Sequence, residues 1–144
     1  MRTHSISINE VEYAAYRLAV QFMTWDEPIP SFGSRFPNSL ESCLKTPFQT
    51  YQKKHLYRGL VEKAAILFYL MIKNHPFENG NKRIAIMTLF YFLYKNGKWL
   101  NIDNKQLYDI AFNIAKTKPK SRDRAIKWLQ TELKNHLINY PDKK

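Results

Sequence analysis

Two segments of the chain are apolar almost all round, and a short polar stretch, NHPFENGNKR, separates them. Before it, Leu56, Leu60, Ala64, Leu67 and Met71 fall on one helical stripe, with Tyr57, Val61, Ala65, Phe68 and Ile72 beside them. So wide an apolar surface predicts a helix from Tyr51 or His55 to Lys73, covered on several sides. After it, IAIMTLFYFLY runs without a polar face until Lys95, Asn96 and Gly97, where the glycine predicts a helix stop. The polar stretch is therefore the turn between two buried helices.

The rest of the chain reads as amphipathic helices joined by punctuated loops. Val11, Ala14, Ala15, Leu18 and Phe22 predict a helix over 9–23 capped by Asn9. WDEPIPSFGSRFP, with three prolines and a glycine in thirteen residues, excludes a long regular element. Asn38 and Glu41 have capping-box spacing for a short helix through Leu44, ended by Pro47. Asp103 with Gln106 predicts the cap of a helix bearing Leu107, Ile110, Ala111 and Ile114. Beyond Pro119, Ser121 heads a last helix with Ala125, Trp128, Leu129, Leu133 and Leu137. The sum is one all-α domain, residues 1–144, of about six helices.

Composition narrows the function classes. Apolar residues make up 44% of the 144, enough for a core, and 23 Lys and Arg against 12 Asp and Glu give a net charge of +11. That field attracts nucleic acid, nucleotides or an acidic protein, but the cations are scattered and no zinc-finger spacing exists, so nucleic acid is not the expected partner. A single cysteine, Cys43, excludes an internal disulfide and reads as structural. The N-terminus lacks an apolar signal core and no apolar run is long enough for a bilayer, so a cytoplasmic protein without membrane contact is expected.

The chemistry concentrates in the polar turn. A helix starting at Asn79 or Gly80 offers the free N–H groups of its first turn to an anion, and Gly80 permits close approach. Lys82 and Arg83 add a point charge and a planar fork suited to phosphate oxygens. A neutral imidazole at His75 can take a proton from a hydroxyl attacking phosphorus. Phe77 anchors the turn in the core. His4, His55 and His136 have no such company and read as surface or packing residues.

HPFENGNKR resembles the core motif of the Fic/Doc superfamily, whose Fic branch carries HPFx(D/E)GNGR and whose Doc (death-on-curing) branch carries HxFxxxNKR. Six of nine positions match the Fic string, and Lys82, where Fic enzymes have a second glycine, resembles Doc. The resemblance implies a Fic/Doc-like bundle, with a flap that pairs with the target peptide at RFPNSLESCLKTPF and a small β-hairpin within it. It implies His75 as catalytic base, Gly80 and Asn81 as phosphate-loop contacts, and Arg83 as a phosphate clamp. A Doc-type Lys82 implies ATP turned so that its γ-phosphate faces His75, with phosphorylation of a Ser or Thr hydroxyl, elongation factor EF-Tu being the family's target. Such a protein is the toxin of a toxin–antitoxin pair, and the absence of an (S/T)xxxE(G/N) helix implies restraint by a separate antitoxin protein. The alternatives are a Fic-type AMP-transferase and a catalytically silent binding module. The family's Mg²⁺ position carries Asn79 rather than an acid, with Glu78 adjacent as the substitute.

Overall fold

The computed structural model describes residues 2–25 and 27–140. Ser7 opens the first helical body: its hydroxyl accepts from the Glu10 N–H at 3.2 Å and the Glu10 carboxylate accepts from the Ser7 N–H at 2.9 Å. This reciprocal box places the cap at Ser7 rather than at Asn9, which lies inside the first turn. The body comprises α1 (Ile8–Glu10), a π-helical segment (Val11–Tyr16) and α2 (Arg17–Phe22). The wider π turn moves the buried face onto Val11, Ala15, Ala19 and Met23, leaving Leu18 and Phe22 of the expected stripe exposed.

The proline-rich loop that follows has a single short 3₁₀ turn, Phe32–Ser34. Next, α3 (Pro37–Lys45) begins with proline at its first position and no side-chain cap, so Asn38 and Glu41 do not form the expected box. RFPNSLESCLKTPF is thus mainly helix and not a strand-bearing flap. The hairpin lies just after it: β1 (Thr50–Tyr51) pairs antiparallel with β2 (Lys54–His55). Gln52 and Lys53 turn it, both with positive φ, and this left-handed pair stops a helix from starting at Tyr51. The long helix therefore begins only after Gly59, as α4 (Leu60–Lys73), and Leu56 stays exposed.

The two apolar segments form the centre. In α4 every side chain from Lys63 to Ile72 is buried, and in α5 (Asn81–Lys95) most are. α5 packs against α4, the π segment and α6 (Asn104–Lys116), while α7 (Arg122–His136) covers another side of α4. The capping box of Asp103 and Gln106 forms as expected. Ser121 occupies the cap position of α7 without a side-chain bond. α5 ends where Gly97, at φ 78°, turns the chain out of the helix.

One feature had no periodic signal. β3 (Lys98–Leu100) pairs antiparallel with β4 (Leu137–Asn139), so Leu137 belongs to a strand and the last helix ends at His136. The Lys95 ammonium meets the Glu10 carboxylate at 2.9 Å, and Tyr91 donates to the same group, tying α1 to α5. With about six helical bodies and two small ladders among the described residues, the architecture is a mostly α bundle. No helix among the described residues is long and apolar enough to cross a membrane.

Candidate functional site

The end of α4 and the start of α5 are joined by Asn74–Gly80, and packing fixes this turn from both sides. Phe77 is 2% exposed and its ring lies among those of Tyr16 and Phe32. From the residue before α3 the Phe36 N–H donates to the Pro76 carbonyl at 2.8 Å, and from α3 itself the Ser39 hydroxyl donates to the Asn74 carbonyl at 2.8 Å. Between those two anchored residues His75 adopts φ 45°, a left-handed conformation that costs a non-glycine residue about 1–2 kcal/mol. The strain is held by the surrounding bonds. It leaves the imidazole exposed while its backbone is pinned.

Gly80 shows why the turn can be so tight. It sits at φ 76°, and a Cβ there would lie 2.7 Å from the Ile29 side chain. Gly80→Ala therefore meets both a conformational and a steric penalty, with an expected destabilisation of about 2–3 kcal/mol. Chemical denaturation would show it as a lowered midpoint at unchanged slope. The helix proper begins at Asn81, beyond the expected start at Asn79 or Gly80, and Ile84 is the first residue whose N–H reaches back, to the Gly80 carbonyl at 2.9 Å. The N–H groups of Asn81, Lys82 and Arg83 have no partner within the helix.

Asn81 is committed inward. The Phe77 N–H donates to its Oδ1 at 3.0 Å and its Nδ2 donates to the Phe77 carbonyl at 2.8 Å, which fixes the orientation of the amide. The same Nδ2 approaches His75 Nδ1 at 3.4 Å. Because an amide nitrogen only donates, this long contact favours the tautomer in which Nδ1 is free to accept. For Nε2 to receive a proton, the ring must first carry its hydrogen on Nδ1 instead. Asn81 thus braces the turn and biases the tautomer of His75.

Arg83 is committed as well. Its side chain is 2% exposed, and its guanidinium donates to the carbonyls of Met23, Trp25 and Glu27 at 3.0, 2.7 and 2.7 Å. A planar cation thereby gathers the carbonyls of the proline-rich loop and draws that loop over the start of α5. Asn79 completes the junction by donating to the Glu27 carboxylate at 3.1 Å. Lys82 is only half-buried, and Glu78 is exposed.

These side chains share one cleft. His75, Glu78, Asn79, Gly80, Asn81, Lys82 and Arg83 all line a space of about 180 Å³, closed below by Ile72 and flanked by Tyr108 and Ala115 of α6. Larger cavities exist elsewhere, so chemistry rather than size singles this one out. Small-molecule sites typically hold roughly 300–1,000 Å³, so this cleft suits the phosphate end of a ligand whose remainder lies over the rim. At the rim Trp25, still 40% exposed, meets Tyr108 edge to face with 5.8 Å between ring centres.

The loop residues Trp25 and Glu27, and Tyr108 on α6, were not among the residues singled out in the sequence. Glu27 had one signal: Asp26–Glu27 is the chain's one adjacent pair of acids. Tyr108 had none, since it flanks the apolar stripe of its own helix. Cys43 is buried, and burial pushes its thiol up to about 12, so it is neutral at physiological pH and no nucleophile. No cluster of three or more His, Cys, Asp or Glu suited to a metal occurs among the described residues.

The donor set nevertheless fits Mg²⁺ in the way that ion is usually held beside phosphates, by one or two carboxylates together with phosphate oxygens and water. Asn79 offers an amide oxygen, and the Glu27 carboxylate beside it supplies the charge that Asn79 lacks.

The family model described as Fic/DOC family matches residues 4–93, nearly two thirds of the chain and the whole of the polar turn. Comparison with curated proteins and with solved structures gave no match.

Proposed function

The chain belongs to the Fic/DOC family, whose members transfer nucleotide or phosphate groups to proteins, and from that premise we propose that it transfers the γ-phosphate of ATP to a serine or threonine hydroxyl of a protein. The observation that carries the reading is that His75 and Lys82 line one phosphate-sized cleft at the start of α5. In the transfer, the hydroxyl oxygen forms its bond to the γ-phosphorus as its proton passes to the His75 imidazole. The bond to the bridging oxygen breaks, and ADP leaves with the electron pair.

Phosphoryl transfer asks little of a protein beyond placement and charge. Lys82 and the N–H groups of Asn81 to Arg83 face the negative charge that develops, and burial of α5 keeps them from reorganising as it does. Asn79 and Glu27, with Glu78 nearby, would hold Mg²⁺, which when bound neutralises charge on the phosphates. Trp25 and Tyr108 provide an aromatic rim over which a nucleobase can stack. Lys82 fills the space that a second glycine leaves open in the Fic pattern, and this favours γ- over α-phosphate at the base.

The family's Doc branch gives the biological frame of the proposal: a toxin that modifies elongation factor EF-Tu and is restrained by an antitoxin protein. ATP labelled separately at the α- and γ-phosphate, incubated with protein acceptors, tests the chemistry. Label is expected on protein from the γ position only. Label arriving from the α position would establish AMP transfer instead, and saturable ATP binding without transfer of either label would support a silent binding module.

A further inference from the structure

A second cleft, of about 550 Å³, lies at the opposite end of α4 from His75. Arg2, His4, His55, Arg58 and Lys63 line it, with Phe48 forming an apolar wall, and no carboxylate lines it among the described residues. Lys63 stands in the first turn of α4 and His75 just past its last. At about 1.5 Å per residue, the helix separates the two clefts by roughly 15–20 Å.

Lys63 is the unusual group. It is 3% exposed, and its ammonium donates to the Tyr57 carbonyl, approaches the Arg58 carbonyl at 3.5 Å, and sits 5.5 Å from the centre of the Phe48 ring. All of these partners are neutral. The neighbouring Glu62 turns its carboxylate back against Gly59 at the helix start, where a Cβ would lie 2.4 Å from it. Burial pushes the Lys63 ammonium below its usual range, the nearby Glu62 charge offsets this only in part, and no carboxylate among the described residues lies within ion-pair distance of it. An entering anion would relieve the cost of that burial.

One wall, the backbone of His4 and Ser5, is fixed in advance. The Asn96 amide brackets His4, accepting from its N–H at 2.6 Å and donating to its carbonyl at 3.0 Å, and Lys95 donates to the Ser5 carbonyl at 2.8 Å. Two guanidinium forks, an ammonium and two imidazoles that line one cleft, with no acid among the described lining residues, match the oxygens of a phosphate group. The volume exceeds what a bare phosphate needs and falls within the range of small-molecule sites. Phe48 offers a face for a flat ring.

We propose that this cleft is a second anion site, which takes a phosphorylated small molecule of about mononucleotide size, its phosphate held by Lys63, Arg58 and His55. The site is independent of the transfer reaction and of its assignment. Isothermal titration of the full chain carrying Lys82→Ala, with inorganic phosphate and then with ADP, keeps the two clefts apart. Saturable binding is expected to persist in that background, to weaken about tenfold or more when His55→Gln and Arg58→Gln are added, and to vanish with Lys63→Met. His55 and Arg58 are exposed, so their replacement leaves the fold intact; a thermal melt checks the buried Lys63→Met. Tighter binding of ADP than of phosphate would identify a nucleotide as the source, and equal binding the free ion. Absence of saturable binding of both probes, or binding indifferent to His55→Gln and Arg58→Gln, would overturn the proposal.

Discussion

With His75 replaced by asparagine, transfer of label from γ-labelled ATP to protein is expected to fall by about 10²- to 10⁴-fold, the range contributed by a positioned general base. Asparagine is the better replacement because His75 sits at φ 45°, a region that asparagine tolerates and alanine does not. His75→Ala should lose the same activity and, in addition, about 1 kcal/mol of stability. ATP binding should survive both changes, since Lys82 and the helix start are untouched. Transfer at the unmodified rate in His75→Asn, with a folded protein, would remove His75 from the chemistry and leave the cleft a binding site.

Arg83→Met is expected to unfold the protein about 10 °C earlier. The guanidinium is buried and satisfies three loop carbonyls, and hydrogen bonds to a charged group contribute about 1.5–3 kcal/mol each, without full additivity. A loss of about 4 kcal/mol corresponds to a shift of roughly that size in a domain of this length. Methionine keeps much of the volume, so the effect isolates the lost polar contacts. Lys82→Ala, at a half-buried position with no bond to the described loop residues, is expected to move the melting temperature little and to lose ATP affinity. If Arg83→Met instead left the melt unchanged and abolished ATP binding, the arginine would be a phosphate clamp, as the family resemblance implies, and not a tie for the loop.

The contrast between those two neighbours shows how far local pattern reaches. Apolar spacing located α4, α5, α6 and α7, because a helix repeats its buried face every three or four residues and the chain carries that repeat openly. It fails at Gln52–Lys53, whose left-handed turn has no glycine or asparagine to announce it, so the apolar spacing runs on through a hairpin as if it were helix. It fails again at β3 and β4, whose pairing joins residues about forty positions apart. Box spacing holds at Asp103 with Gln106 but fails at Asn38 with Glu41, and at the first helix the reciprocal box belongs to Ser7 with Glu10 and not to Asn9.

The sequence alone determined that one polar turn, between two segments too apolar to lie anywhere but inside, carries a base, a glycine and two cations. That much is local, since nine consecutive residues contain it. Only the tertiary structure decided what each side chain does. It turned Arg83 toward carbonyls 56 to 60 residues earlier in the chain, placed the Glu27 carboxylate beside Asn79, and brought Tyr108 and Trp25 to the rim. The physical reason is that a buried guanidinium must find acceptors wherever the fold supplies them, and the nearest acceptors belong to a loop that no periodicity connects to the turn.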